Sequence, residues 1–229
     1  MTDDPRSRIV ADGYDAIVDR YLGWAAGIRG DPRQAWLARF MRRLPRGGSV
    51  LELGCGAGSP TATALAERFV LTGIDISPAQ VARARQVVPD ARFLVGDMTT
   101  IELPAGAFDG VCAFYSIIHV PRERQAALFR RIAVWLRPGG WFLAAMAAHD
   151  DPGWTGEWLG VPMFFSGFAS DRGLALLADA GLRVVSHRTH TMREPDDTGT
   201  FSDATFSDAT FHDATFHDAT FLWVLARRS

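Results

Sequence analysis

The sequence predicts an α/β fold in which a mostly parallel sheet is covered by helices on both faces. Three observations support this prediction. Short apolar strands alternate with helical segments, a glycine-rich loop joins the first strand to its helix, and an acidic residue ends the second strand. The length of 229 residues and the net charge of −2 fit one domain without a strong overall field.

The first segment, residues 1–47, is predicted to form a helical lid. Apolar residues recur at spacings of three and four from Ile17 to Met41, which indicates amphipathic helices. Gly30 and Pro32 divide the segment into two helices, and Pro45 ends it. Residues 48–229 are then predicted to form the core domain.

The core is predicted to alternate strands with capped helices. The expected strands are 49–53, 70–74, 91–95, 108–114, 141–148, 182–188 and 221–226, and the expected helices are 60–69, 78–88, 122–136 and 170–181. Ser59 and Ser77 each precede a proline, a cap followed by a residue suited to the first helical turn. The segment 153–168 is rich in Trp, Phe and Gly without clear periodicity, so we predict a loop or lid there.

Residues 201–220 form a fourfold repeat, FSDAT-FSDAT-FHDAT-FHDAT. A period of five matches neither strand nor helix, and four copies are too few to bury the core of a β-helix. Removing the repeat joins Thr200 to Phe221 and yields a clean strand. We therefore predict an exposed loop insertion within a β-hairpin. A metal site from His212, His217 and the neighbouring aspartates is a weaker alternative to a solvated loop.

The most informative motif is ELGCGAG, residues 52–58, between a buried strand and a capped helix. Glycine permits positive φ and lets a ligand approach the backbone, while the helix N-terminus favours an anionic group. Asp75 ends the next strand, where a carboxylate can accept hydrogen bonds from ribose hydroxyls. Both features predict a nucleoside ligand. The dinucleotide fingerprint requires Gly or Ala where this chain has Ser59, which counts against NAD.

Four further segments in the same order strengthen a family resemblance. GIDIS (73–77), VGDM (95–98), LRPGG (136–140) and the C-terminal strands, together with ELGCGAG, resemble the class I S-adenosylmethionine-dependent methyltransferases. The resemblance implies a Rossmann-like, doubly wound sheet of seven strands, whose last strand inserts antiparallel between strands five and six. It implies S-adenosylmethionine as the cofactor and methyl transfer as the reaction.

The resemblance also implies roles for individual residues. Gly54, Gly56 and Gly58 would cradle the methionine part of the cofactor, with Glu52 orienting the loop. Asp75 would hold the ribose and Ile76 would pack on adenine. Asp97 and the Met98 backbone would recognise the adenine ring. Phe114 and Tyr115 would line the methyl-donor pocket, and Tyr14 and Tyr21 resemble the lid segment, although a structural role for both tyrosines is the alternative.

The sequence indicates the residues that would contact the methyl acceptor less clearly than those that would bind the cofactor. His119 follows the fourth strand, where the methyl group should point, and is the candidate general base; bracing of the loop is the alternative. His149, Asp150 and Asp151 follow the fifth strand and are either polarising or simply solvated. Aromatic residues in 153–168 either wall an acceptor pocket or cover the core: Trp154, Trp158, Phe164, Phe165 and Phe168.

These observations favour a cytoplasmic methyltransferase with a small-molecule acceptor. Two cysteines give no disulfide framework or metal site, no apolar run would span a membrane, and no basic patch suggests a nucleic-acid partner. A binding protein that retains the fold without catalysis is one alternative, since fold does not imply turnover. A nicotinamide-dependent oxidoreductase is another.

Overall fold

The computed structural model describes residues 4–196 and 215–229. The helices in these ranges are α1 (Pro5–Ala16), α2 (Val18–Ala26), α3 (Arg33–Met41), α4 (Thr61–Ala66), α5 (Pro78–Val87), α6 (Arg122–Trp135) and α7 (Ser170–Asp179). The strands are β1 (Ser49–Leu53), β2 (Val70–Asp75), β3 (Arg92–Val95), β4 (Phe108–Phe114), β5 (Leu136–Ala147), β6 (Asp151–Trp158), β7 (Val161–Gly167), β8 (Leu182–Pro195) and β9 (Phe216–Arg228). A 3₁₀ helix, Ile117–His119, follows β4. None of the described helices is long and apolar enough to cross a bilayer.

The main sheet has the strand order β3-β2-β1-β4-β5-β9-β8. Strands β1 to β5 run parallel to their neighbours, whereas β9 runs antiparallel to both β5 and β8. Strand order reverses between β1 and β4, and the loops that follow such a pair open a crevice at the carboxyl edge of the sheet. The predicted seven-stranded, doubly wound sheet with an inserted antiparallel last strand is confirmed.

Helices cover both faces of the sheet. Phe129 of α6 and Leu177 of α7 are buried in one layer, and Phe40 of α3 and Leu65 of α4 are buried in the other. The central strands β1 and β4 are buried almost throughout, as expected for parallel strands with helices on both sides. Helix α3 belongs to this core layer and therefore not to the lid that was predicted for residues 1–47. The predicted lid is thus reduced to α1 and α2.

Helices α1 and α2 cross the carboxyl edge of the sheet and meet at Ile17, whose side chain is buried. Gly13 allows α1 to approach β7 closely, since an added Cβ would lie 2.9 Å from the Pro162 carbonyl oxygen. Asp15 holds the other side of α1: its Oδ1 accepts from Ser77 Oγ at 2.5 Å and from the Ala79 amide at 2.9 Å. These contacts hold α1 against β7 and the segment that follows β2.

The prediction of an irregular loop at 153–168 is wrong. Strands β6 and β7 form an antiparallel hairpin separate from the main sheet, from Trp154 opposite Phe165 to Trp158 opposite Val161. Leu159 and Gly160 both have positive φ, 50° and 73°, as a two-residue hairpin turn requires. The pattern escaped notice because strand β6 is mostly exposed and therefore lacks apolar alternation.

The prediction of a loop at 201–220 is wrong for its last copy, because Phe216–Thr220 lies in β9. These residues pair with β8 from Pro195 opposite Phe216 to Thr191 opposite Thr220. Side chains alternate faces along a strand, so a five-residue period puts the phenylalanines of successive copies on opposite faces. The last copy extends β9, with Phe216 stacked under Arg29 at 4.3 Å. Residues 197–214, with the rest of the repeat, lie outside the described residues.

Candidate active site

The glycines of the loop after β1 have three different local roles. All three have positive φ, 70° at Gly54, 51° at Gly56 and 87° at Gly58. A Cβ at Gly54 would lie 2.2 Å from Ser116 Cβ, and a Cβ at Gly58 would lie 3.1 Å from Ala84 Cα. A Cβ at Gly56 would instead meet Gln80 Oε1 at 3.9 Å, an ordinary van der Waals distance. Gly54 therefore permits close contact with the loop after β4, Gly58 permits helix packing, and Gly56 leaves the backbone accessible to a ligand.

Two cavities open at the carboxyl edge of the sheet and share one wall. Tyr14, Tyr21, Tyr115 and His119 line both cavities. The first cavity is further lined by the predicted residues Gly54, Gly56, Asp75, Ile76, Asp97, Met98 and Phe114. Of the predicted site residues, Glu52 and Gly58 do not line it, Gly58 because it packs on α5. The shared wall is the place where ligands in the two cavities would meet.

Asp75 is held by the backbone of the adjacent loops. Its Oδ2 accepts from the Gly56 amide at 2.8 Å and its Oδ1 from the Ser77 amide at 3.0 Å. Burial raises the pKa of Asp75, and the hydrogen bonds from the Ser77 and Gly56 amides oppose that shift. Each carboxylate oxygen keeps acceptor capacity, so Asp75 fits the hydroxyls of a ribose.

Asp97 has one oxygen satisfied and one free. Its Oδ1 accepts from the Thr99 amide at 2.8 Å and from Thr99 Oγ1 at 2.7 Å. Its Oδ2 is buried and has no hydrogen-bond partner among the described residues. A buried acceptor without a donor is costly, and an amino group entering the first cavity would supply the donor. This oxygen therefore fits the exocyclic amine of an adenine.

Gln80 is a cavity residue that the sequence analysis missed. The sequence Ser77-Pro78-Ala79-Gln80 has the spacing of a capping box, which would turn the Gln80 amide back toward the Ser77 amide. Here Asp75 accepts from the Ser77 amide instead. The Gln80 side chain is 1% exposed, lines the first cavity, and has no partner for either amide atom within residues 4–196 and 215–229. The sequence signal for this residue was a capping-box spacing directly after an acidic strand end, where Asp75 can take the place of Gln80 as the partner of the Ser77 amide.

We expect Gln80→Met to weaken S-adenosylmethionine binding about tenfold, because the cofactor would lose one hydrogen bond to a buried amide. The free energy of unfolding without ligand should not fall, since methionine keeps the volume and removes an unsatisfied polar group. Calorimetry and urea unfolding measure the two effects. Gln86→Met, at an exposed position of the same helix, should leave affinity unchanged. Equal affinity in both variants would exclude a ligand contact for Gln80.

Glu52 lies in β1 beneath the glycine-rich loop and is fully buried. Its Oε2 has no hydrogen-bond partner in the described part of the chain. Burial raises the pKa of Glu52 to about 8, while the positive charge of Arg33 opposes the shift and Asp75 adds to it. The predicted role of orienting the loop stays a prediction, since Glu52 is not among the described residues that line the first cavity.

The second cavity has a volume of about 250 Å³ and a mainly aromatic wall. Seven aromatic side chains line it: Tyr14, Tyr21, Trp24, Tyr115, Trp158, Phe165 and Phe221. The rings of Trp24 and Trp158 pack edge to face at 5.2 Å, and Trp158 contacts Phe165 in the same way at 5.6 Å. The sequence analysis expected Trp158 and Phe165 but not Trp24 or Phe221, which come from distant elements α2 and β9.

Of the other residues predicted to contact the methyl acceptor, some line the second cavity and the rest do not. Trp154 is 44% exposed, Phe164 is buried against α1, and Phe168 packs beneath Arg122 at 4.2 Å. His149 and Asp151 line the second cavity, whereas Asp150 pairs with Arg122 at 2.9 Å.

A charged cluster borders the second cavity. Arg33 pairs with Asp31, Nε to Oδ2 at 3.2 Å, and the Tyr115 hydroxyl donates to the other oxygen of Asp31 at 2.8 Å. The Arg33 guanidinium also lies over the Tyr115 ring at 4.9 Å. Tyr115 has a positive φ of 57°, a conformation that costs a non-glycine residue free energy and that these contacts maintain. Glu194 of β8 also lines the cavity. Burial raises the pKa of Glu194, and the nearby His217 opposes that shift.

His119 joins the loop after β4 to the β6–β7 hairpin. Its Nδ1 lies 2.8 Å from the Phe164 carbonyl oxygen, and its Nε2 lies 2.9 Å from the Tyr14 hydroxyl. Burial lowers its pKa to about 4, while the Phe164 carbonyl opposes the shift. The imidazole is therefore neutral at pH 7. The contact with Phe164 is the bracing interaction that the sequence analysis held as the alternative to a general base.

Residues 50–140 match a family model described as a methyltransferase domain. A 2-methyl-6-phytyl-1,4-hydroquinone methyltransferase from Synechocystis sp. is 37% identical over 106 residues, which cover 44% of this chain and 33% of that protein. A trans-aconitate 2-methyltransferase from Variovorax paradoxus is 38% identical over 112 residues, 48% of this chain and 41% of that protein. The chain thus spans less than half the length of these two relatives.

Solved structures show the same architecture. A SAM-dependent methyltransferase from Methanosarcina mazei matches with a TM-score of 0.65 and 15% sequence identity, over 82% of this chain and 95% of that chain. At 15% identity this match shows a shared fold and nothing more. In this chain Gly54, Gly56, Asp75 and Asp97 line the first cavity at the carboxyl edge of the sheet. Residues 50–140 therefore match the class I S-adenosylmethionine-dependent methyltransferases, and the cofactor that this match indicates is S-adenosylmethionine.

Proposed function

We propose that this protein transfers a methyl group from S-adenosylmethionine to a small molecule bound in the aromatic second cavity. The observation that carries the proposal is the shared wall of Tyr14, Tyr21, Tyr115 and His119. A cofactor in the first cavity and an acceptor in the second would meet there. Positioning of the two reactants in line supplies much of the acceleration in a displacement of this kind.

The first cavity offers a partner for each part of the cofactor. In this proposal Asp75 accepts from the ribose hydroxyls, Asp97 Oδ2 from the adenine amine, and Gly54 and Gly56 border the methionine part. Ile76 and Met98 supply apolar contacts beside the adenine. When bound, S-adenosylmethionine supplies an electrophilic methyl group on a sulfonium. Aromatic faces attract such a cation, and Tyr14, Tyr21 and Tyr115 are placed to provide them.

The second cavity favours a compact, partly apolar acceptor. Seven aromatic rings line a space of about 250 Å³, which suits a small ring compound better than a polymer. The two relatives named above are, by their names, a hydroquinone methyltransferase and a trans-aconitate methyltransferase, both with small acceptors. A cytoplasmic location stays part of the proposal and rests on the two cysteines, Cys55 and Cys112, which are buried and free.

An acceptor screen tests the proposal. S-adenosylhomocysteine release is measured with phenol, benzylamine and benzoate, which share one ring and differ in the nucleophilic group. We expect acceptor-dependent release, lost in Asp75→Ala and kept in Asp90→Ala, a matched change at an exposed position. Tight cofactor binding without release across a broad acceptor screen would instead favour the non-catalytic binding protein.

A further inference from the structure

The Tyr14–His119 pair has a defined proton order. The Phe164 carbonyl oxygen can only accept, so the His119 nitrogen 2.8 Å from it, Nδ1, carries the ring hydrogen. In a neutral imidazole the other nitrogen, Nε2, is then an acceptor. The Tyr14 hydroxyl, 2.9 Å from Nε2, must therefore donate to it. The backbone of β7 thus fixes the histidine tautomer and, through it, the direction of the tyrosine hydrogen bond.

The pair lies where an acceptor atom would be methylated. Tyr14 reaches the shared wall from α1, and His119 reaches it from the 3₁₀ helix after β4. The Tyr14 oxygen uses its hydrogen toward His119 and keeps lone pairs that can accept a hydrogen from a bound molecule. His119 Nε2 itself is occupied by Tyr14. A molecule in the second cavity would therefore meet the tyrosine oxygen first and the histidine only through it.

Neither group favours a stable charge in the protein without ligand. Burial raises the pKa of Tyr14 well above its usual range and lowers the pKa of His119 to about 4. A tyrosinate intermediate is therefore disfavoured. If Tyr14 accepts one proton while it gives up another, it never carries a net charge, and His119 ends as the cation.

We propose that Tyr14 and His119 form a proton relay for an acceptor whose nucleophilic atom carries a hydrogen, namely a hydroxyl, phenol or neutral amine. This inference rests on the proposed function. The bond between the acceptor atom and the methyl carbon forms as the sulfur–methyl bond breaks. The acceptor proton passes to Tyr14 Oη, and the Tyr14 proton passes to His119 Nε2. Sulfonium and imidazolium each carry one positive charge, so the charge in the site is conserved. His119 later releases its proton to solvent.

The relay assigns different parts to the two residues. Tyr14 is the catalytic residue, since it contacts the acceptor, while His119 acts through it and is oriented by Phe164. A carboxylate acceptor has no proton to lose and would gain nothing from the pair. The inference therefore predicts acceptors with an O–H or N–H nucleophile rather than carboxylates.

Nitrogen-15 NMR of the histidine rings tests the proton order in the full chain with S-adenosylhomocysteine bound, without any acceptor. At pH 7.5 we expect His119, assigned with His119→Gln, as the neutral Nδ1–H tautomer. Tyr14→Phe should shift its Nε2 resonance, whereas Tyr21→Phe, at the same wall, should leave that resonance in place. An Nε2–H tautomer, or a resonance that Tyr14→Phe does not move, would overturn the relay. Unchanged resonances of the other histidines confirm that the variant is folded.

Kinetics with phenol, benzylamine and benzoate test the acceptor class. We expect turnover of phenol or benzylamine above benzoate, and Tyr14→Phe should lower kcat about 100-fold with little change in KM. Preference for benzoate, or wild-type kcat in Tyr14→Phe, would overturn the proposal. If none of the three compounds is turned over, the His119 tautomer measured by NMR decides whether the relay is retained. Absent S-adenosylhomocysteine binding means that the proposed function fails, whereas retained binding with the wrong tautomer means that the relay alone fails.

Discussion

Gly54→Ala is expected to abolish S-adenosylmethionine binding and to lower the free energy of unfolding by about 3 kcal/mol. The new Cβ would lie 2.2 Å from Ser116 Cβ, a distance at which one of the two backbones must move. Alanine would also have to adopt a φ of 70°, which costs about 1–2 kcal/mol by itself. Any relaxation displaces either the glycine loop or the loop after β4, and both line the first cavity.

Two variants separate the steric part of this effect from backbone strain. Gly106→Ala introduces the same strain at a φ of 62°, with no atom within 4 Å of the new Cβ, and lies outside the site. It should cost about 1–2 kcal/mol and leave cofactor affinity unchanged. The double variant Gly54→Ala with Ser116→Gly should recover part of the stability, because it removes the clashing atom. Wild-type affinity in Gly54→Ala would contradict the packing described for this loop.

Glu52→Gln is expected to stabilise the protein at alkaline pH by on the order of 4 kcal/mol. Burial raises the pKa of Glu52 to about 8, whereas the unfolded chain titrates near its usual value of 4.5. Between these two values the folded protein binds more protons than the unfolded chain, so stability falls as pH rises through this window. Glutamine has the same shape and does not ionise, so the variant should lack this loss.

Urea unfolding at pH 5.5 and pH 8.5 measures the Glu52 effect. Glu52→Gln should be more stable than the wild type by about 1 kcal/mol at pH 5.5 and by on the order of 4 kcal/mol at pH 8.5. Glu67→Gln removes the same charge from an exposed position at the end of α4 and should follow the wild type at both values. The same pH dependence in wild type and Glu52→Gln would show that Glu52 does not titrate in this range in the folded protein.

The parts of the site that were predictable depend on local chain geometry. Gly54 follows β1, Asp75 ends β2 and Asp97 lies in the loop after β3. These three strands are parallel neighbours, and the carboxyl ends of parallel strands meet at one edge of the sheet. Residues that follow adjacent strands must therefore lie close together. The alternation of strands and helices likewise predicted the layers of the fold. The apolar run Phe221–Ala226 correctly predicted a last strand, whereas its antiparallel insertion was predicted from the family resemblance.

The parts that were not predictable depend on contacts between distant elements. The second cavity brings Trp24 of α2 and Phe221 of β9 together, and neither carries a local signal for a binding wall. The β6–β7 hairpin was missed because its exposed strand shows no apolar alternation. The Tyr14–His119 contact spans 105 residues, and its proton order depends on the carbonyl of Phe164, a backbone group that side-chain patterns do not reveal.

Calorimetric titration of the folded protein with S-adenosylmethionine, and with NAD as the competing ligand, tests the identity of the cofactor. We expect micromolar binding of S-adenosylmethionine and S-adenosylhomocysteine and no binding of NAD. Asp75→Ala should weaken both at least tenfold, since the ribose would lose its acceptors, while Asp90→Ala should bind as the wild type does. Absence of binding by folded wild-type protein, or binding of NAD in place of S-adenosylmethionine, would contradict the assignment of the first cavity to S-adenosylmethionine.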